Sequence, residues 1–173
     1  IIGSGSIGQV YKVKNIKTSK YHVMKVMHPG IQNQMIFFKR VFGFIYDRKI
    51  FNKFIYKYFP FNLVEFMNDF HKQSDFINEC NNLLDFYHNY KDNEYIIIPE
   101  LIRASNDIII MECVEGKCIE DTDMNEYDKS KVIFLLYLFI RNNMLILNNI
   151  HGDLHKYNWK VSDSKLKNVH KII

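Results

Sequence analysis

The run IIGSGSIGQVYKV at residues 1–13 constrains the fold more than any other stretch of this sequence. Gly3, Gly5 and Gly8 have the spacing G-x-G-x-x-G, and glycines let backbone N–H groups approach phosphate oxygens without interference from a Cβ atom. A dinucleotide-binding turn of this spacing leads directly into a helix. Here QVYKV follows, which is typical of a strand, so the sequence predicts a glycine-rich β-hairpin.

A strand after the glycines is the arrangement with which protein kinases cover the phosphates of ATP. Val10, two residues after the last glycine, agrees with that pattern. An ordinary glycine-rich hairpin without a ligand is the alternative that this segment alone leaves open.

Two charged residues, Lys25 and Glu79, lie among apolar neighbours where each needs a partner. Lys25 is in HVMKV, a run typical of a strand, and a charge between apolar side chains requires an opposite charge. Glu79 is three or four residues from Phe76 and Leu83 on a predicted helix, so it shares their apolar face. The sequence therefore predicts a Lys25–Glu79 ion pair. A lysine at a sheet edge and a solvated helix glutamate are the alternatives.

The polar run HGDLHKYNW at residues 151–159 directly follows a strongly apolar segment. Asp153 and Asn158 are five residues apart, which is the spacing of the kinase catalytic loop. There the aspartate accepts or orients the proton of the nucleophile, and the asparagine holds Mg²⁺. A zinc site on His151 and His155 is the alternative, but it needs a helix and further ligands, and Gly152 disfavours the helix.

Periodicity predicts strands and a helix first and a mostly helical part second, with the divide near residues 115–116. The elements predicted before residue 91 are strands at 1–2, 9–14 and 21–27 and helices at 31 to about 57 and at 61–90. The later elements are two β-rich runs, YIIIPEL and DIIIMECV, separated by the turn RASN, a long apolar helix at 127–150 and a terminal hairpin.

The composition limits the classes of protein to which this chain can belong. Its 173 residues, 47% of them hydrophobic, suffice for one globular domain or two small lobes. The net charge of +4 does not predict nucleic-acid binding. Cys80, Cys113 and Cys118 have no CxxC spacing, so we expect free thiols in an intracellular, reducing compartment. No signal-peptide pattern is found, and residues 132–147 are too short for a membrane span, which predicts a buried core helix.

Five runs, in order GSGSIGQVYK, VMKVMHPGIQ, SDFINECNN, IIMECVEG and HGDLHKYN, together resemble the ABC1/UbiB/ADCK (COQ8-like) family of atypical kinases. The resemblance covers nearly the whole chain, and the run through HPGI is its most distinctive piece. It implies an α+β, protein-kinase-like fold of two lobes. Residues 1–114 would form the N-lobe, an antiparallel sheet with inserted helices, and residues 115–173 the start of a truncated helical C-lobe.

The resemblance also implies binding of ATP or ADP with Mg²⁺, and an ATPase or phosphotransferase activity linked to isoprenoid-quinone or lipid metabolism. Lys25, paired with Glu79, and the catalytic-loop aspartate Asp153 would be the catalytic residues. Asn158 would be a metal ligand, with Asp75 near the metal. The nucleotide would contact Gly3, Ser4, Gly5, Ser6, Gly8, Val10, Lys25, Glu112 and Val114.

Several features depart from the family pattern. The glycine-rich loop replaces one that is often alanine-rich, so we expect the nucleotide preference to be altered. The family's E-x-D is Gln73-Ser74-Asp75 here, and Lys156-Tyr157 replaces the usual Pro-Gly after HGDLH. Because a D-F-G-like aspartate would follow HKII, we expect the chain to be a piece of a longer protein and inactive alone.

The partners of the chain are less constrained by its sequence. Residues 37–61 mix aromatic and basic side chains, so they predict either contact with a membrane surface or isoprenoid lipid, or an amphipathic helix with a solvated basic face. Two other functions stay open: a nucleotide-binding pseudokinase that regulates a protein partner, and a small-molecule kinase of the aminoglycoside or choline type.

Overall fold

The structure is a computed structural model that describes residues 1–46, 65, 68, 72, 75–150, 152, 154–156, 158–163 and 170–172. The described chain is α+β, as the sequence predicts. It packs into two compact units: Ile1–Asn82 with Leu101–Glu112, and Leu83–Glu100 with Cys113–Ile173. The division into functional lobes after residue 114 stays a prediction.

The first unit is built on a five-stranded antiparallel sheet in the order β1-β2-β3-β5-β4. Its strands are β1 (Gly3–Ser4), β2 (Gly8–Lys14), β3 (Tyr21–Met27), β4 (Leu101–Ala104) and β5 (Ile108–Glu112). The predicted third strand is confirmed, whereas β1 begins two residues later than predicted. The turn between β2 and β3 is set by Asn15, whose Oδ1 accepts N–H bonds from Lys17 and Thr18.

The run YIIIPEL is a strand only at its end, which corrects the prediction for its first part. The strand begins at Leu101, and residues 97–100 have no regular structure. Pro99 has no N–H to donate to a strand ladder, which limits pairing there. Ile96 is buried in the core of the second unit instead. The two ends of this continuous apolar run therefore pack in different units.

Two helices, α1 (Ile31–Tyr46) and α2 (Phe76–Tyr90), follow β3 in the described chain. The predicted continuation of the first helix to about residue 57 lies outside the described residues. The predicted helix over 61–90 is wrong at Asp75, which is not helical. Its Oδ1 accepts the N–H groups of Ile77 at 2.9 Å and Asn78 at 3.3 Å, so Asp75 caps α2.

The core of the first unit lies between the sheet and the first turns of α2. Met27, Phe76, Cys80 and Ile109 form a buried cluster, and Phe76 and Ile109 are fully buried. Ile7, Ile31, Leu101 and Met111 pack around it. Because Glu79 is three residues after Phe76, it lies on the side of α2 that packs on the sheet.

The second unit is mostly helical. It contains a 3₁₀ turn (Ile119–Asp121), α3 (Glu126–Asn142), a π-helical turn (Asn143–Leu147), β6 (Val161–Asp163) and β7 (His170–Ile172). Asn125 caps α3 through the Asp128 N–H, and β6 and β7 form the predicted terminal hairpin. Two clusters bury its apolar side chains: Phe86, Tyr90, Ile96 and Phe139 in one, and Val132, Trp159 and Val161 in the other.

The long apolar helix is buried along one side in this structure. Val132, Phe139 and Asn143 are buried, whereas other apolar side chains are exposed, among them Ile133, Phe134, Tyr137, Met144, Leu145 and Ile146. By length and composition alone, Glu126–Leu147 could cross a membrane, with a mean hydropathy of 1.5 in a window of which 17% is buried. The prediction that the segment is too short for a membrane span is therefore wrong, because the helix has 22 residues. A core helix passes the same test, so this property assigns the helix to neither environment.

Candidate functional site

The predicted ion pair between Lys25 and Glu79 is present. The Lys25 Nζ lies 2.7 Å from Oε1 and 2.6 Å from Oε2 of Glu79, which is 54 residues later in the chain. The Lys25 Nζ also lies 5.0 Å from the centroid of the Phe76 ring. The side chains of the pair keep 26% and 37% of their surface exposed. The ammonium is thus held in place and still accessible to a ligand.

Strand register places Val10 beside Lys25 on one face of the sheet. Val10 is directly opposite Lys25, and Lys25 is directly opposite Ile109. Directly opposite residues of antiparallel strands point to the same face. This face packs on α2, because Ile109 contacts the core cluster that contains Phe76. The sheet and α2 therefore bring together three predicted site residues, Val10, Lys25 and Glu79.

The glycine-rich run forms the predicted hairpin between β1 and β2. Gly3 pairs with Val10 and Ser4 with Gln9, and the Gly5 N–H donates to the Gly8 carbonyl oxygen at 2.9 Å. The exposed Ser6 lies in the turn.

The three glycines of this hairpin differ in whether the fold requires them. A Cβ atom on Gly8 would lie 2.4 Å from the Val26 carbonyl oxygen, so the approach of β2 to β3 demands glycine there. A Cβ on Gly3 or Gly5 would meet its nearest atom at 3.8 or 3.9 Å, and neither residue has φ in the left-handed region. The fold therefore tolerates a side chain at these two positions, and glycine there leaves room for a ligand to approach the backbone.

Cys80 is buried directly beside the ion pair. Burial raises the pKa of the Cys80 thiol, and the Glu79 carboxylate raises it further, while Lys25 lowers it and Asp75 raises it. The three cysteines are free, as the sequence predicts. Asp75, the predicted residue near the metal, uses one carboxylate oxygen to cap α2.

The remaining predicted residues lie at the end of β5 and in the second unit. Glu112 ends β5 opposite His22, and Val114 is half-buried in the second unit without regular structure. Asn158 is an exposed residue of the second unit, and its N–H donates to the His155 carbonyl oxygen at 2.9 Å. The predicted catalytic Asp153 lies outside the described residues.

The chain on either side of Asn158 is anchored in the second unit. Leu154 packs against both of its core clusters, and Trp159 is 6% exposed. Among the residues that the structure describes, no group of three or more histidine, cysteine, aspartate or glutamate side chains is placed to hold a metal ion. The assignment of Asn158 as a metal ligand, and the zinc alternative through His151, stay predictions.

Sequence reasoning missed a buried polar network before residue 151. Asn143 is 2% exposed, and its Nδ2 donates to the Tyr90 hydroxyl at 2.9 Å and to the Phe139 carbonyl oxygen at 2.7 Å. Asn142 Nδ2 lies 2.9 Å from the same hydroxyl. Because Asn143 reads as one more residue of an apolar helix, only tertiary contact with Tyr90 shows its role. The network fixes the helix end that leads to the polar loop.

A second missed residue is His28, whose ring contacts the glycine turn at Gly5. The HPG run could have pointed to it, but the sequence pattern indicates only a strand end there.

Comparison with known proteins identifies the family. The family model for the ABC1 atypical kinase-like domain matches residues 1–173. The chain is 28% identical over 173 residues to a probable serine/threonine-protein kinase, abkC, of Dictyostelium discoideum, covering 94% of this chain and 24% of that protein. It is 22% identical over 164 residues to an uncharacterized chloroplastic aarF domain-containing protein kinase of Arabidopsis thaliana, covering 91% of this chain and 22% of that protein.

A solved structure shares the fold. The Rv3197–erythromycin complex from Mycobacterium tuberculosis superposes with a TM-score of 0.72 at 19% identity, covering 98% of this chain and 43% of that one. The predicted kinase-like α+β fold is thereby confirmed. The chain spans less than half the length of each of these proteins. On its full-length match to the family model, the chain belongs to the ABC1 atypical kinase-like family.

Proposed function

We propose that this domain binds a nucleoside triphosphate with Mg²⁺ and serves an ATPase or phosphotransferase reaction. The observation that carries the proposal is the Lys25–Glu79 pair, which lies on the same sheet face as Val10. The glycine-rich turn that leads into β2 at Gly8 supports it, because glycine at positions 3 and 5 is not demanded by the fold.

The Lys25 ammonium can serve a phosphate while it stays paired. It has three N–H donors, and the two oxygens of Glu79 lie within hydrogen-bond distance of its nitrogen. A third donor can reach a phosphate oxygen, and the paired carboxylate keeps the ammonium oriented before the ligand arrives. Backbone N–H groups of the glycine turn would contact further phosphate oxygens, where a Cβ atom would keep the ligand away.

Asp153 and Asn158 are the proposed reaction residues of the second unit. By its spacing from Asn158, Asp153 would accept or orient the proton of the attacking group. The Asn158 carboxamide oxygen would bind Mg²⁺, an ion that prefers oxygen ligands. Mg²⁺ held there would supply positive charge that neutralises the charge of the phosphate groups. The assignment of Asp75 near the metal stays a prediction, and one of its carboxylate oxygens caps α2.

The family resemblance extends the proposal to isoprenoid-quinone or lipid metabolism. Two exposed aromatic residues of α1 support contact with a lipid surface, since Phe37 and Phe44 are each 62% exposed. The name of the Dictyostelium relative, a probable serine/threonine-protein kinase, supports transfer of phosphate to a protein. Products formed from labelled ATP with membranes, quinone precursors or candidate proteins would separate these acceptors.

The first test is nucleotide binding to the full-length protein. ATP and ADP, each with and without Mg²⁺, should raise the melting temperature of the parent, because a ligand that binds only the native state stabilises it. Lys25→Ala should lose this shift. Lys131→Ala is the matched control, since Lys131 also pairs with a carboxylate, that of Asp128 at 3.1 Å, and is an exposed residue of α3 in the other unit.

The outcomes of this test separate an enzyme from a pseudokinase and can also overturn the proposed site. A Mg²⁺-dependent shift with hydrolysis or transfer of phosphate supports the enzyme. A shift without turnover indicates a nucleotide-binding pseudokinase. If no nucleotide shifts the parent, or if Lys25→Ala and Lys131→Ala behave alike, the proposed site is wrong.

A further inference from the structure

The HPG run at the end of β3 has a structural role at each of its three residues. The residue before a proline is disfavoured in helical conformation, so Pro29 disfavours a helical backbone at His28, which directly follows the strand. Gly30 has φ of 81°, which a residue with a side chain rarely adopts, and α1 begins at the next residue. The strand before His28 and the residues Pro29 and Gly30 after it therefore restrict the backbone of His28, independently of any contact that its ring makes.

His28 contacts the glycine turn through its backbone and its ring. Its N–H donates to the Ile7 carbonyl oxygen at 2.9 Å. Its ring Nε2 lies 3.1 Å from the Gly5 carbonyl oxygen. A carbonyl oxygen only accepts hydrogen bonds, so the proton must reside on Nε2 in this contact. The carbonyl group that His28 contacts thus belongs to Gly5, a position at which the fold would tolerate a side chain.

The ring contact continues a chain of hydrogen bonds through the turn. The Gly5 N–H donates to Gly8, and the Gly5 carbonyl accepts from His28, so Gly5 is held from both sides. Glycine has more backbone freedom to lose than any other residue. The contact with His28 orders the turn in the free protein, and this reduces the conformational entropy that the turn would lose when a ligand binds.

We infer that His28 is a positioning residue, which orders the glycine-rich turn for the phosphates of a nucleotide without touching the nucleotide itself. This inference rests on the proposed function. It separates His28 from Lys25, which contacts the phosphates directly in that proposal. Lys25 lies in β3 and His28 directly follows it, so β3 and the residue after it would supply the phosphate contact and the contact with the turn.

The first experiment measures whether the His28 ring contact orders the glycine turn in the protein without nucleotide. Hydrogen exchange of the Gly5 amide is followed by NMR in the parent, in His28→Phe, which keeps a ring without a donor, and in His28→Gln, which restores an N–H donor. We expect exchange about tenfold faster in His28→Phe, the scale of one net hydrogen bond, and close to the parent in His28→Gln. The Ser19 amide, bonded to Asn15 at 2.8 Å in the neighbouring hairpin, should not change in either variant.

The second experiment tests whether the contact between His28 and Gly5 strengthens binding of the phosphate groups. The Kd of ATP should rise about tenfold in His28→Phe and return towards the parent value in His28→Gln. The Kd of adenosine, which has no phosphate, should stay the same in all three proteins. A purely structural role would weaken both ligands equally or neither.

Each failure has a distinct meaning. A Gly5 amide that exchanges at the parent rate in His28→Phe overturns the ring contact. Faster exchange with unchanged ATP affinity overturns the positioning role. A parent that binds no nucleotide sinks the proposed function and the phosphate role with it, while the Gly5 amide still decides whether His28 orders the turn.

Discussion

Two lysines of this protein have the same kinds of neighbour in very different surroundings. The sheet set is Lys25 with Glu79 and Phe76, and the α3 set is Lys131 with Asp128 and Tyr127. The ammonium lies 2.6 Å from a carboxylate oxygen and 5.0 Å from a ring centroid in the sheet set. The corresponding distances are 3.1 and 4.2 Å in the α3 set. The local chemistry of the two sets is therefore alike.

The difference lies in what holds each set together. The partners of the α3 set are three and four residues from Lys131, so one helix creates it, and its Tyr127 is 71% exposed. The sheet set joins residues 54 positions apart, and its Phe76 is fully buried. An exposed local ion pair contributes little to stability. A pair held by a core ring and a strand has a fixed geometry, which is what recognition of a ligand requires.

The largest expected difference between the sets concerns their aromatic rings. Phe76→Ala should reduce the free energy of unfolding by about 3–5 kcal/mol, because it leaves a cavity in the core of the first unit. Tyr127→Ala should change it by no more than about 0.5 kcal/mol, as for most exposed positions. Urea unfolding of both variants checks this. Similar losses would contradict the view that only the sheet set is part of a core.

A second way to break the sheet set is to disturb the strands beneath it. Gly8→Ala should cost about 1–3 kcal/mol, because its Cβ would overlap the Val26 carbonyl oxygen and force β2 away from β3. Gly5→Ala is the matched control: it should leave the free energy of unfolding nearly unchanged and weaken only ATP binding. Chemical denaturation with calorimetric ATP titration separates the two effects. Equal destabilisation by both alanines would show that the turn itself is sterically closed.

The two ion pairs should also differ in their coupling. A double-mutant cycle with Lys25→Ala and Glu79→Ala should give a coupling energy of about 1–2 kcal/mol, since the pair is charge-assisted but still partly exposed to water. The same cycle with Lys131→Ala and Asp128→Ala should give about 0.5 kcal/mol or less. The cycles are measured by denaturation at low and high salt. A Lys25–Glu79 coupling energy that vanishes at high salt would show that this pair is screened by salt like an exposed surface pair.

The smallest expected effect concerns the thiol beside the sheet set. Burial and the Glu79 carboxylate raise the pKa of Cys80, and Lys25 lowers it, so Lys25→Met should raise that pKa further. The pH dependence of the Cys80 ¹³Cβ chemical shift measures the change. Lys131→Met should leave this titration as in the parent. An unchanged titration in Lys25→Met would contradict the proximity of the ammonium to the thiol.

The raised thiol pKa has a defined consequence for stability. Because the folded state holds the proton more tightly than the unfolded chain, this contribution is present below the ordinary thiol pKa and is lost as the pH rises through the raised value. The stability of the parent should therefore fall more steeply in alkaline solution than that of Cys80→Ala. A steeper fall in Cys80→Ala would reverse the assigned direction.

The glycine hairpin and the Lys25–Glu79 contact were predictable from local patterns, whereas the roles of the predicted site residues stay predictions. Glycine spacing followed by a strand predicts the hairpin, and an isolated lysine in an apolar strand predicts a partner such as Glu79. The boundaries were less predictable. Asp75 lies within a helical periodicity, yet its carboxylate caps α2, and YIIIPEL has the composition of a strand although most of it is not one. Caps and burial depend on neighbours that periodicity does not contain.

The sequence by itself determined the α+β class, the glycine hairpin and the family to which the chain belongs, because each depends on residue type and spacing; it predicted the Lys25–Glu79 pair, which the tertiary structure brings together across 54 residues. Only the tertiary structure decided which glycine is sterically required. A Cβ atom would overlap Val26 at Gly8, whereas Gly5 has room for one. The tertiary structure also decided that the His28 ring contacts the Gly5 carbonyl oxygen. These contacts join β2, β3 and the turn between β1 and β2 at distances of a few ångströms. They depend on strand register and backbone geometry, which a linear pattern does not specify.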